Sequence, residues 1–181
     1  VRYFLHIGGN DSMDTTHRLH LAALHAGYEL MSVGVPKTVD NDLAGTDHCP
    51  GYGSAARFVA MAIRDTGRDT ESMGRSSPIK IMEIMGRNAG WLTAAAVLGR
   101  DHPDAPPHLV YVPERPVTPD TILAEVESMY QRHGYVVIAL SEGTRTPQGE
   151  DIGSAMQPAE VDAFGHRMKG GAADSLARLI G

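Results

Sequence analysis

An α/β fold with doubly wound, mainly parallel sheets is predicted by three features of this 181-residue chain. Short apolar runs recur along it, segments of helical character separate them, and turn-forming, charged residues close most of the runs. Strand-helix alternation of this kind builds right-handed crossover units, whose strands are buried on both faces and read as unbroken apolar stretches.

The first strand is expected at 3–7, ending in Gly8-Gly9-Asn10-Asp11-Ser12 before a helix at 14–25. Paired glycines let a backbone pass close to a ligand, and a helix start offers unsatisfied N–H groups that favour anions, so this exit loop reads as a phosphate or metal-phosphate cradle. The second strand, 31–35, stops at Pro36, which removes a backbone donor and fixes φ. Lys37, Thr38, Val39, Asp40, Asn41 and Asp42 follow on its exit loop, where ligands bind in open α/β sheets. Were that loop extended, Asp40 and Asp42 would share one side of the backbone. Two like charges so close tend to raise one pKa, which suits a general base unless a cation or a bound metal offsets the repulsion. Asn and Asp also form plain solvated turns, the blander reading of the same residues.

Further strands are expected at 79–85, 109–112 and 135–140, and helices at 53–66, 91–98, 119–133 and 172–180. Segments 101–107 and 144–152 read as surface loops. Met85-Gly86-Arg87 closes one strand with a guanidinium fit for bidentate phosphate contact. Pro113-Glu114 and Ser141-Glu142-Gly143 close two others, and Phe164-Gly165-His166 with Lys169-Gly170-Gly171 adds a histidine and a cation near a glycine turn. Gly51 to Ala56 nominally fits the G-x-G-x-x-A dinucleotide fingerprint, but the intervening Asp47-His48-Cys49-Pro50 denies it the required strand, and a helix start is the better reading. His17, His20 and His25 lie on one helix without an Asp, Glu or Cys to complete a metal set. No internal repeat or low-complexity tract is present.

Hydrophobic content of 42% and charged content of 21% describe a soluble globular protein. The net charge of −6 argues against nonspecific nucleic-acid binding, so anionic substrates must be held by a few local cations. A single Cys49 permits no internal disulfide and fits a reducing cytoplasm. No run is long and apolar enough to span a membrane. Val1 is not a start residue, and a strand begins at once, so the chain is expected to enter inside a domain of a longer protein.

In order and together, these segments resemble the phosphofructokinase family. Gly8 to Ser12 is similar to its GGDGS or GGDD segment, Lys37 to Asp42 to its TIDND loop, and Met85-Gly86-Arg87 to its MGR. Pro113-Glu114, Ser141-Glu142-Gly143 and Gly165-His166 through Gly171 are similar to later landmarks, so the likeness covers nearly the whole chain. It implies a two-lobed α/β fold with a cleft between the lobes. A phosphoryl-donor lobe would comprise residues 1–52 with 167–181, and a sugar-phosphate lobe residues 53–166.

The resemblance also implies roles. Asp40 would take the proton of the fructose 6-phosphate 1-hydroxyl, with Asp42, Thr38 and Lys37 arranging the base and the donor. Gly9, Asn10, Asp11 and Lys37 would bind the donor, and Mg²⁺ would sit near Asp11 and Asn10. Met85, Gly86, Arg87 and Glu142 would grip the sugar, and His166 with Lys169 its 6-phosphate. ATP-using relatives typically carry glycine where Asp11 and Lys37 stand; the Asp-Lys pair resembles pyrophosphate-dependent members. The implied activity is therefore phosphoryl transfer from pyrophosphate to fructose 6-phosphate, by a cytoplasmic homo-oligomer with no nucleic-acid or membrane partner. ATP-dependent and non-catalytic regulatory family members are the alternatives. Asn10 replaces the usual magnesium-linked Asp, and Pro78, Glu160 and Lys169 replace expected phosphate-binding arginines. The 181 residues alone are expected to be inactive.

Overall fold

The computed structural model describes residues 1–156 and 171–181, which divide into two compact units, Val1–Gly53 and Ser54–Gly181. In the first, β1 (Tyr3–Gly8) and β2 (Met31–Pro36) pair in parallel with Gly8 opposite Pro36, so both strands deliver their exit loops to the same edge. Between them α1 (Asn10–His25) crosses over and packs on both strands. The face toward the helix is built around small and polar groups: Thr16 is buried, its hydroxyl lies 3.0 Å from His6 Nδ1, and Gly34 leaves space for the Met13 sulfur. The opposite face differs from expectation. Tyr3, Leu5 and Ile7 stand 66 to 72% exposed, beside Met31, Val33 and Val35, which are also exposed. The apolar runs were expected to be covered on both sides; within this unit α1 covers only one.

The helix begins at Asn10, four residues before the expected start, because Gly9 already accepts the first helical bond from the Met13 amide (3.1 Å). Its first turn is polar and carries no apolar periodicity for a sequence reading to detect.

The second unit holds a parallel sheet of order β3-β5-β4, with β3 at Ile79–Ile84, β4 at Leu109–Tyr111 and β5 at Val136–Ser141. Every residue of the central β5 is buried, which is what its unbroken Val-Val-Ile-Ala-Leu run requires. Helix α2 (Tyr52–Met73) leads into this unit, followed by α3 (Trp91–Ala95), α4 (Pro119–His133), α5 (Ile152–Ala155) and α6 (Ala172–Ile180). Helix α2 runs past its expected end at Thr66 because Gly67 is a packing site: it is buried, and a Cβ there would strike the Pro106 ring. Helix α4 matches its expected span. Thr118 caps its first turn through the Thr121 amide (3.2 Å), and Gly134 closes it at φ 76°. The core joins Ile122 and Val126 of α4, Ile138 and Leu140 of β5, Ile152 and Leu176.

Helix α6 packs on β3 and β5, within the second compact unit. Segment 144–152 is a surface loop only at its tip, residues 147–150: Thr144 and Ile152 are fully buried, because the chain folds back to pair Arg145 with Asp151 and seats α5 on the core. Segment 101–107 likewise buries Ala105 and Pro107 at its end.

His108 supplies a pH dependence of stability. Its Nδ1 accepts the Val137 amide (2.9 Å), so the proton of the neutral ring sits on Nε2. Burial pushes its pKa from 6.5 down to about 4, and the charges of His133 and Arg100 push the same way. The folded protein therefore keeps His108 neutral where the unfolded chain protonates it. Stability contributed by the neutral ring is complete above pH ~6.5 and is lost as the pH falls toward about 4. Thermal unfolding across that window should show a shallower acid decline for His108→Gln than for the native protein.

Candidate active site

In the first unit the two exit loops are stitched together. The Lys37 amide donates to the Gly8 carbonyl (2.7 Å), and Asn10 Nδ2 donates to Asp42 Oδ2 (2.8 Å). Gly9 is thereby set beside Lys37, and Asn10 beside Asp42. The loop itself is not extended. Asn41 takes a left-handed conformation at φ 60°, and its buried side chain accepts the Cys49 amide at Oδ1 (2.8 Å) while Nδ2 donates to the Asp47 carbonyl (3.3 Å). Asp40 and Asp42 therefore flank a turn and are not carried on one side of an extended backbone. Thr38 is buried and its Oγ1 accepts the Asp40 amide (3.0 Å), fixing the backbone that carries Asp40.

Asp11 lies in the first turn of α1, exposed, and Lys37 is exposed on its loop. No ion pair or hydrogen bond joins those two side chains among the described residues. Asp42 Oδ1 is buried without a hydrogen-bond partner. Among the described residues, no group of three or more His, Cys, Asp or Glu side chains is placed to hold a metal ion.

The second unit assembles another cluster at the exits of β3 and β5. Gly86 donates its amide to Glu142 Oε1 (3.2 Å) and accepts the Ser141 hydroxyl at its carbonyl (2.7 Å). Two glycines make this possible. Gly86 has φ 134°, a conformation side chains rarely adopt, and a Cβ on Gly143 would collide with the backbone of Gly86 and Arg87. Glu114, singled out as a strand-exit carboxylate, accepts the Gly90 amide (2.8 Å) and so braces the loop that presents Arg87. Arg87 and Glu142 line a pocket of about 460 Å³ together with Arg145, Glu83, Asp151 and Ser154. Met85 projects to solvent beside it, 59% exposed.

Of the expected sugar-binding residues, Gly86, Arg87 and Glu142 are brought together; His166 and Lys169 lie outside the described residues, as does Glu160. Sequence reasoning missed Glu83, whose Oε2 accepts the Ala173 amide (2.8 Å) at the start of α6. It also missed Arg145, which lay in a segment read as a surface loop. A charged residue two positions after the Ser141-Glu142-Gly143 strand exit was the available signal.

The family model described as Phosphofructokinase matches residues 1–181. The chain belongs to the phosphofructokinase family. A pyrophosphate–fructose 6-phosphate 1-phosphotransferase of Xanthomonas campestris is 45% identical over 181 residues, covering 99% of this chain and 43% of that protein. A sulfofructose kinase of Alkalicoccus urumqiensis is 43% identical over 143 residues, covering 79% of this chain and 37% of its own length. The crystal structure of a pyrophosphate-dependent phosphofructokinase from Marinobacter aquaeolei superimposes with a TM-score of 0.71 at 35% identity, over 99% of this chain and 41% of that one. The chain thus spans less than half the length of these relatives. Among the described residues, no helix is long and apolar enough to cross a membrane.

Proposed function

We propose that the protein containing this chain transfers a phosphoryl group from pyrophosphate to the 1-hydroxyl of fructose 6-phosphate. The observation that carries this reading is the pair of bonds, Lys37 to Gly8 and Asn10 to Asp42, that sets a glycine-rich helix start beside a loop bearing Asp40. The names of the relatives, which share a fructose-derived acceptor, support it.

In this reading Asp40 accepts the proton as the sugar oxygen attacks phosphorus, and the electron pair of the broken P–O bond leaves with orthophosphate. Thr38 holds the backbone of Asp40, and Asp42, tied to Asn10, keeps the two loops in register. The start of α1 and Lys37 offer positive charge to the diphosphate. Asp11, Asn10 and the unpartnered oxygen of Asp42 would hold Mg²⁺. Bound there, the ion would neutralise diphosphate oxygens, the usual need of phosphoryl transfer. In the second unit Gly86, Arg87 and Glu142 orient the sugar, with Met85, His166 and Lys169 completing the acceptor set.

Asp11 and Lys37 decide the donor. An Asp side chain in the first turn of α1 occupies and repels the space an α-phosphate would need, while a lysine ammonium suits a bare diphosphate. Full-length protein should turn over with Mg-pyrophosphate and not with Mg-ATP; the opposite preference would defeat the reading. The double replacement Asp11→Gly with Lys37→Gly should cut kcat/KM for pyrophosphate by about 100-fold or more and narrow the gap to ATP. A homo-oligomeric, cytoplasmic enzyme belongs to the same reading, and sedimentation of the full-length protein tests the assembly.

A further inference from the structure

The pocket at the β3 and β5 exits holds one cation whose present contacts leave it underused. Arg145 Nη2 lies 3.5 Å from Asn88 Oδ1, and its Nε is 4.0 Å from Asp151 Oδ1, both at the outer limit of a useful interaction. Its Nε is buried with no hydrogen-bond partner. A buried Nε–H without an acceptor is costly, and the side chain is otherwise 42% exposed; a planar fork of donors is best satisfied by a phosphate or carboxylate that takes two bonds at once.

The backbone around Arg145 holds the side chain to this place. Its carbonyl accepts the Val117 amide (2.9 Å), and residue 145 pairs with residue 151 across the returning chain. Two of the carboxylates lining the pocket are already engaged by backbone amides: Glu142 by Gly86, and Glu83 by Ala173. Among the described residues, Arg87 and Arg145 are the cations that line it. Among the described residues, neither Pro78 nor Lys80 offers a substitute there. Pro78 sits at the opposite end of β3, where its carbonyl accepts the Val136 amide (2.7 Å), and Lys80 lies 4.0 Å from Asp69.

We propose that Arg145 is a specificity-determining residue that binds the 6-phosphate of the sugar, working with Arg87 as a two-guanidinium clamp on that dianion. This rests on the reading of the second unit as the sugar-phosphate site. It accounts for how the tail phosphate is gripped in a chain where Pro78 and Glu160 stand at positions expected to carry arginine.

The test is calorimetric titration of the full-length protein, and of its Arg145→Ala and Arg145→Lys variants, with fructose 6-phosphate and with unphosphorylated fructose. Arg145→Ala should raise the Kd for fructose 6-phosphate about 10- to 100-fold and leave the Kd for fructose within about twofold, since only the increment supplied by the phosphate is lost. Arg145→Lys should recover part of that loss, because an ammonium restores the charge without the planar fork. In turnover assays KM for the sugar should rise while KM for pyrophosphate and kcat at saturating sugar hold. Equal weakening of both sugars would overturn the proposal and make Arg145 a tie within its loop, as would an unchanged Kd for fructose 6-phosphate. Native protein that neither binds fructose 6-phosphate nor uses pyrophosphate would instead overturn the functional reading itself, a result visible before any variant is made.

Discussion

Replacing Asp40 by alanine in the full-length protein should lower the proposed kcat about 10³-fold or more, with KM for fructose 6-phosphate changed by no more than about threefold. Removal of a positioned general base typically costs about 10²- to 10⁴-fold in rate, and each tenfold is about 1.4 kcal/mol of barrier. The sugar would still bind, because the proposed acceptor contacts come from the second unit. The loop should keep its shape as well. The Thr38 hydroxyl accepts the backbone amide of residue 40, not its side chain, and the turn is anchored separately by Asn41 through Cys49 and Asp47. A near-normal kcat would remove Asp40 from the chemistry and favour a non-catalytic family member. A comparable fall in thermal stability would instead mark Asp40 as a structural residue.

Replacing Gly143 by alanine should have the reverse signature. The added methyl would collide with the backbone carbonyls of Arg87 and Gly86, which have no rotamer by which to withdraw. Overpacking of this kind costs about 1 to 3 kcal/mol, and at this place relief means parting the exits of β3 and β5. The bonds from Gly86 to Glu142 and from Ser141 to Gly86 would be strained together. The melting temperature should fall by several degrees, and KM for fructose 6-phosphate should rise at least about tenfold. An unaltered KM with an intact melting curve would show that the two exits do not need their close approach. The contrast between the variants is itself informative. Asp40→Ala tests the reacting group on a preserved scaffold, whereas Gly143→Ala moves the scaffold beneath an unaltered set of functional side chains.

Legibility along the chain follows local signal strength. Helix α4 carries a capping Thr118, Pro119 at its start, a periodic apolar stripe and Gly134 at its end, and its span could be read without coordinates. Strand β5 is an uninterrupted apolar run and is buried at every position. The start of α1 could not be read, because Asn10, Asp11 and Ser12 are polar residues equally at home in a turn. Gly67 looked like a helix end because glycine has low helix propensity; its packing against Pro106 is invisible in one dimension. The buried state of Thr144 and Ile152 was hidden for the same reason. A Thr-Arg-Thr-Pro stretch followed by Gln-Gly-Glu-Asp has the composition of a surface loop, and its tip, residues 147–150, is exposed as such; only the return of the chain onto the core buries its two ends.

The candidate site divides along the same line. By itself the order of residues determined the alternation of strands and helices, the family, and the chemistry available at each strand exit, because these depend on residue type, spacing and short-range pattern. Only the tertiary structure decided which groups are satisfied and which are left to act. It turned Asn41 into a loop anchor, committed Glu114 and Glu83 to backbone amides, placed α6 on the second sheet, and left Arg145 facing a pocket with weak contacts. Hydrogen-bond partners and burial arise between residues distant in sequence, so no local pattern encodes them.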